Sequence, residues 1–257
     1  MPALKLGAQL YTLRQYTQNE NDFAETIKRV AGFGYKYAQI SGIGADIPAQ
    51  FIKKVTEDNG IGVILTHTPL DRIINETDKV IEEHVTFNCP GVGIGSWAKN
   101  KTADGFKKFA ESIAPVVEKI KAANKFFLYH NHKYEFEHFE KGKTAIDIML
   151  ENSDTSAFKL TFDTYWAQAG GVDPAQFIKD YKDNIFATHL KDMTVINNEI
   201  EMTEMLTGNM NFARILEVSE KSNVLWHFVE QDKVRIDAFD SMKISYDNLM
   251  ATGKFEK

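Results

Sequence analysis

The sequence predicts a closed (β/α)8 TIM barrel, α/β in class, with residues 1–257 forming a single domain. Three observations carry this expectation. Short apolar runs alternate with longer segments of helical period eight times along the chain. That alternation implies a parallel sheet with right-handed crossovers, and eight units in 257 residues fit closure into a barrel. The first strand leads into "GAQLYTLRQ", which is no GxGxxG, the phosphate loop that an open doubly wound sheet usually carries there. No close repeat, low-complexity tract or linker divides the chain.

The elements follow in order. "LKLGAQLY" (4–11) reads as the first strand. In "NDFAETIKRVAGFG" (21–34) Phe23, Ile27 and Val30 share one helical face, Asn21 or Asp22 is the expected N-cap, and Gly32 and Gly34 end it. "YKYAQIS" (35–41) is a strand, 47–60 a helix closed by Asn-Gly, and "IGVILTH" (61–67) a buried strand. One helix over 69–88, with proline near its start, precedes the strand "GVGIGS" (91–96). Helix 102–123 precedes strand 125–130, a helix near 143–152 precedes "AFKLTFD" (157–163), and 173–183 precedes "IFATHLK" (185–191). Helix 211–223 precedes "VLWHFVE" (224–230), and a last helix covers about 235–251.

Bulk properties narrow the function classes. Hydrophobic residues are 43% and charged residues 26% of the chain, a globular composition. A formal charge of −6 argues against a nucleic-acid binder, which usually carries a basic surplus. The single cysteine, Cys89, forms no internal disulfide and fits a reducing compartment. The N-terminus shows no apolar stretch of signal-peptide length, and no segment approaches the roughly 20 apolar residues of a membrane helix. The expectation is a cytoplasmic protein with no membrane or nucleic-acid partner; the sequence gives no oligomeric state.

In a barrel of this kind the active site lies at the C-terminal strand ends. Those ends read Gln9-Leu10-Tyr11, Gln39-Ile40-Ser41, Thr66-His67, Ser96-Trp97, His130-Asn131-His132, Asp163-Thr164, His189-Leu190-Lys191-Asp192 and Glu230-Gln231-Asp232. Asp163, His189 and Glu230 end three consecutive strands, and such residues converge on the barrel axis. Two carboxylates and an imidazole suit one divalent ion (manganese, zinc, cobalt or magnesium), and His130, on the strand before, would supply a fourth ligand. Each has a plainer use as well: Asp163 as a helix cap, His189 as a donor to a carbonyl, Glu230 in an ion pair with Lys191 or Lys233. His67 and Gln9 are candidate pocket residues. Trp166, Trp97 and Phe136 form a candidate apolar wall for a sugar ring. His84 and His138 read as solvated, and His227 as structural.

"YHNHKYEFE", "FDTYWAQAGGVDPAQFIKDY", "THLKDM" and "FVEQD" together resemble the xylose isomerase-like TIM-barrel superfamily of sugar phosphate isomerases and epimerases, over nearly the whole chain. That superfamily covers ketose epimerases, inosose dehydratases and isomerases, keto-glycoside-processing enzymes and endonuclease IV. The resemblance implies one divalent cation held by Glu, Asp, His and Glu from strands five to eight. Asp163, His189 and Glu230 match the last three positions. The first departs: this chain has His130 where epimerases usually show Glu, with Glu135 in the following loop as the alternative carboxylate. Inosose dehydratase-like members are similar in their histidine-rich strand five. In "HLKD" the resemblance makes Lys191 a contact to a substrate hydroxyl or oxyanion. The relatives' Gly-rich segment between strands seven and eight is replaced by "IEMTEMLTGNMNF" (200–212), where "TGN" is the nearest equivalent.

A cation beside a keto-sugar polarises the carbonyl and acidifies the neighbouring C–H. A base of pKa near 7 then removes the proton, and His132 and Glu135 are the acid–base candidates. Return of the proton to carbon gives isomerisation or epimerisation; departure of a β-oxygen gives dehydration or lyase chemistry. The expected partner is a small carbohydrate. Endonuclease IV-like repair of DNA, which needs three zinc ions and basic loops, and a non-catalytic sugar-binding barrel are the other classes.

Overall fold

The computed structural model describes residues 3–97, 99–139 and 142–257. Its eight barrel strands are β1 (Lys5–Gln9), β2 (Tyr37–Ile40), β3 (Gly62–Thr66), β4 (Gly91–Ile94), β5 (Phe126–His130), β6 (Phe158–Asp163), β7 (Ile185–Leu190) and β10 (Trp226–Val229). They close in the order β1-β10-β7-β6-β5-β4-β3-β2, with parallel pairing throughout. This is a TIM barrel. A separate antiparallel hairpin, β8 (Asp192–Ile196) with β9 (Glu199–Thr203), follows β7.

The helices pack outside. α1 (Glu20–Phe33), α2 (Ala49–Asp58), α5 (Ala103–Ala122), α6 (Ala145–Glu151), α8 (Pro174–Tyr181), α9 (Phe212–Ser222) and α10 (Ala238–Ala251) fill the crossovers expected from the periodicity. The N-cap of α1 is Asn19, whose side chain accepts from the Asp22 amide at 3.0 Å, rather than Asn21 or Asp22. The expected single helix over 69–88 is two, α3 (Leu70–Asn75) and α4 (Thr77–Thr86), because Glu76 leaves helical geometry at φ −128°, ψ 35°. A short extra helix, α7 (Thr164–Ala169), follows β6 directly. Among the described residues no helix is long and apolar enough to cross a membrane.

The core has two zones. Helix faces pack against the outside of the sheet, with Phe106, Phe109, Ile113, Phe158 and Phe162 among the largest contributors. A smaller cluster joins Leu65, Leu128, Ala187 and Phe228. Leu128, Ala187 and Phe228 each stand two residues before His130, His189 and Glu230, so they share the inward face of their strands. They floor the barrel beneath the polar residues. Gly7 is required at this level: a Cβ there would lie 2.3 Å from the Phe228 ring.

Parallel register aligns the strand ends. Asp163 pairs with His189 across β6 and β7, and the Glu230 amide donates to Leu190 O at 3.2 Å just beyond β10. Gln9 pairs with Gln39 across β1 and β2.

Candidate metal centre and cavity

His130, Asp163, His189 and Glu230 converge, each offering one ligand atom, with all four atoms within 4.8 Å of one another and all four residues buried. His130 Nε2 lies 3.2 Å from Asp163 Oδ2, and His189 Nδ1 lies 3.7 Å from that oxygen and 2.7 Å from Glu230 Oε2.

The second polar atom of each residue is held from outside the cluster. His130 Nδ1 bonds Gly95 O at 2.9 Å. His189 Nε2 meets Gln39 Oε1 at 2.5 Å. Glu230 Oε1 accepts from Gln9 Nε2 at 2.8 Å, and Asp163 Oδ1 accepts from the Trp166 amide at 2.9 Å. Asp163 therefore serves two uses at once: one oxygen caps α7 and the other faces the centre. His189 Nδ1 and Glu230 Oε2 are buried without a hydrogen-bond partner despite their closeness. Two imidazole nitrogens and two carboxylate oxygens, aimed at one point and fixed from behind, fit a divalent ion with its outer supports in place.

Lys191 stands against the same centre. Its fully buried ammonium lies 3.0 Å from Asp163 Oδ2, 2.9 Å from Glu230 Oε2 and 3.0 Å from Asp232 Oδ2. Burial alone would raise the acids and lower the lysine, but the mutual attraction outweighs it. Asp163 and Glu230 are held well below the carboxylate range, and Lys191 above the usual lysine value. The ammonium faces three carboxylates in this structure.

Above the cluster opens a cavity of about 410 Å³, lined by Tyr11, Ser41, His67, His132, Glu230 and Asp232 among others. His67, a candidate pocket residue, and His132, an acid–base candidate, both line it. His67 Nδ1 pairs with Ser41 Oγ at 3.2 Å, while its Nε2 and His132 Nδ1 are buried and unpartnered. Burial, then the charges of His130 and His189, holds His67 well below its ordinary pKa; burial and His130 take His132 down to about 3. Burial thus favours the neutral form of both rings.

Glu135 is fully buried behind His132. It accepts from Tyr129 Oη at 2.8 Å and from the His132 amide at 2.8 Å. Burial pushes it up to about 7, against the lowering of those bonds. The structure thus brings His130, not Glu135, into the four-residue cluster.

Other sequence-derived residues sit further back. Gln9 is fully buried, its amide spent on Glu230 and on Tyr11 N at 2.6 Å. Trp166 lies 5.3 Å from the His132 ring, centroid to centroid, with Nε1 buried and unpartnered. Trp97 packs on Phe106 and Phe109, and Phe136 packs edge-on against Phe177, so neither forms the expected wall. His84 is not solvated: it is buried, with Nε2 bonded to Thr66 Oγ1 at 2.9 Å and Nδ1 to Val80 O at 2.7 Å. His138 is exposed, and His227 is structural, bonded to Thr188 Oγ1 and Val224 O. The segment 207–209 docks under the hairpin, where Gly208 N donates to Asp192 Oδ2 at 3.0 Å. Gln39 and Asp232 belong to the site as well, and the sequence signal for them is a polar side chain closing an apolar strand.

The family model for the xylose isomerase-like TIM barrel matches residues 27–224. The chain belongs to that family. Comparison of the sequence with curated proteins returned no match. Among solved structures, this xylose isomerase-like barrel is similar to a sugar phosphate isomerase/epimerase from Parabacteroides distasonis ATCC 8503, with 23% identity, TM-score 0.81, and 100% of this chain and 96% of that one covered. It is also similar to the probable 3-DHS dehydratase AsbF of Bacillus anthracis, at 12% identity, TM-score 0.77, covering 96% and 99%. A third is the IOLI protein with a bound zinc atom, at 13% identity, TM-score 0.75, covering 99% and 100%. At these identities the likeness is one of fold.

Proposed function

We propose that the protein is a divalent-metal-dependent sugar isomerase or epimerase acting on a keto-sugar or sugar derivative. The observation that carries this reading is the buried convergence of His130, Asp163, His189 and Glu230 directly beneath a cavity of monosaccharide scale. A P. distasonis neighbour described as an isomerase/epimerase and a zinc-bound neighbour support it. When bound, a divalent ion supplies Lewis acidity that acidifies a C–H next to a carbonyl. The donor set suits zinc, manganese, cobalt or magnesium.

The chain's own residues do the rest. His67 and His132 line the cavity, and each carries a ring nitrogen with no protein partner, available to a sugar hydroxyl or to the proton being moved. His132 is accessible but weakly basic, whereas Glu135 has the basicity that suits proton transfer near neutral pH and lies behind it. Glu135 holds the His132 backbone amide and Tyr129 Oη, and each of the two residues is an acid–base candidate in its own right. Trp166 bounds the apolar side of His132. Among the described residues the cavity lining includes Glu230 and Asp232 but no lysine or arginine, which favours an unphosphorylated sugar.

The test is exchange of a substrate C–H proton with solvent deuterium across a panel of keto-sugars. Exchange should require added metal, and His132→Asn and Glu135→Gln should each slow it by about 10²–10⁴-fold. Absence of exchange with metal bound would favour a non-catalytic sugar-binding barrel. A dehydratase or lyase is the second reading, favoured by His130 at the strand-five position and by the fold of AsbF. Product mass separates them: isomerisation conserves it, and elimination loses water or an alcohol.

A further inference from the structure

We propose that Lys191 is an internal cation that competes with the divalent ion for Asp163 and Glu230, with Asp232 as the place to which it yields. The inference rests on the metal reading above and concerns how tightly the ion is held.

The oxygens in contention are the same ones. Asp163 Oδ1 is committed to the Trp166 amide and Glu230 Oε1 to Gln9, so only Oδ2 and Oε2 face the centre. The Lys191 ammonium sits 3.0 Å from that Oδ2 and 2.9 Å from that Oε2. Its side chain is fully buried. A divalent ion drawn to His130, Asp163, His189 and Glu230 therefore meets a positive charge already on two of its four donors.

Asp232 makes coexistence possible. Its Oδ2 lies 3.0 Å from the ammonium, yet Asp232 is not one of the four converging residues. It belongs to the cavity wall and its side chain is 29% exposed. Three carboxylates balance one lysine and one divalent ion. With the ion in place, the ammonium keeps Asp232 and gives up its hold on the shared oxygens. Lysine suits this role because its compact charge rides on a flexible stem.

The probe is cobalt(II), followed by its dissociation constant and its visible absorption in wild type, Lys191→Met, Lys191→Gln and Lys191→Arg. Purifying the variants in cobalt keeps them folded should the two carboxylates be hard to bury without a cation. The neutral variants should bind cobalt about tenfold or more tightly than wild type, with an unchanged absorption envelope showing the ligand set intact. Lys191→Arg should restore affinity toward wild type. Asp232→Asn should weaken cobalt binding more in the wild-type background than in Lys191→Met, a coupling that marks the handover. One cobalt in wild type with equal or weaker binding in both neutral variants would overturn the proposal and leave the metal reading standing; strictly additive effects of Lys191→Met and Asp232→Asn would overturn the handover. Cobalt in Lys191→Met but none in wild type would support Lys191 as the resident cation while removing the metal reading of the native enzyme. No cobalt in any variant would overturn both.

Discussion

His189 Nδ1 and Glu230 Oε2 approach to 2.7 Å without forming a hydrogen bond, and each residue is gripped from behind by a glutamine. Gln39 holds the other nitrogen of His189, and Gln9 the other oxygen of Glu230. Those two glutamines are register partners at the ends of β1 and β2. Outer supports of this kind orient ligands, and their loss typically costs 10–100-fold in metal affinity. Gln39→Leu and Gln9→Leu should each weaken zinc binding by roughly that factor, read by competition with a chromogenic chelator. Unchanged affinity in both would mean that the glutamines only fill space.

Glu135 gives the pH dependence. Its carboxyl is raised from 4.5 to about 7 by burial. As a general base it must be ionised, so turnover should rise with pH through about 7, and Glu135→Gln should remove that limb. The same shift has a stability consequence of opposite sense. The fold favours the neutral acid, so stability is fully present below about 4.5 and is lost as pH rises to about 7, amounting to about 3 kcal/mol. Urea denaturation should show Glu135→Gln relatively more stable at pH 8 than at pH 4.5. A pH-independent difference would contradict the burial assigned to this group.

Two buried imidazoles work the other way. Burial lowers His84 and His227 from 6.5 to about 4 in each case. A depressed imidazole contributes stability above about 6.5 that is lost as pH falls toward 4, at about 3 kcal/mol for each. His84→Gln should flatten the acid side of the stability profile measured by denaturant unfolding. An acid limb identical to wild type would show that His84 does not titrate with unfolding.

The cavity's chemistry sets a substrate preference. Its charged lining is Glu230 and Asp232, each paired with the Lys191 ammonium, and among the described residues it includes no lysine or arginine to receive a phosphate. The kcat/KM for an unphosphorylated keto-sugar should exceed that for its phosphate ester, and added inorganic phosphate should not inhibit. A preference for the ester would point to Arg14, whose guanidinium lies against the lining residues Tyr11 and Asp232, as its phosphate contact.

Much of this was legible in the sequence because strand position maps onto barrel geometry. Asp163, His189 and Glu230 could be placed together from the apolar runs alone, since parallel register carries each strand end to the same rim. Lys191 could be named but not understood. Its three carboxylate partners come from the end of β6 and from the segment that follows β10, and no local pattern reports them. The hairpin β8–β9 was missed although Asn197 and Asn198, both at positive φ (50° and 67°), form the turn type that Asn favours. Its strands are too polar to read as strands. His84 misled because a histidine between helix charges looks solvated; only the packing of α4 on β3 supplies Thr66. The break at Glu76 carries no glycine or proline, so periodicity ran through it.

Metal content of the purified protein tests the central claim most directly. Wild type dialysed against zinc or manganese and analysed by inductively coupled plasma mass spectrometry should retain about one ion per chain, by the ligand logic of two imidazoles and two carboxylates. Asp163→Ala and Glu230→Ala should lose it, with the helical and strand signature in circular dichroism kept. Full occupancy in both variants, or no retained ion in wild type, would contradict the account.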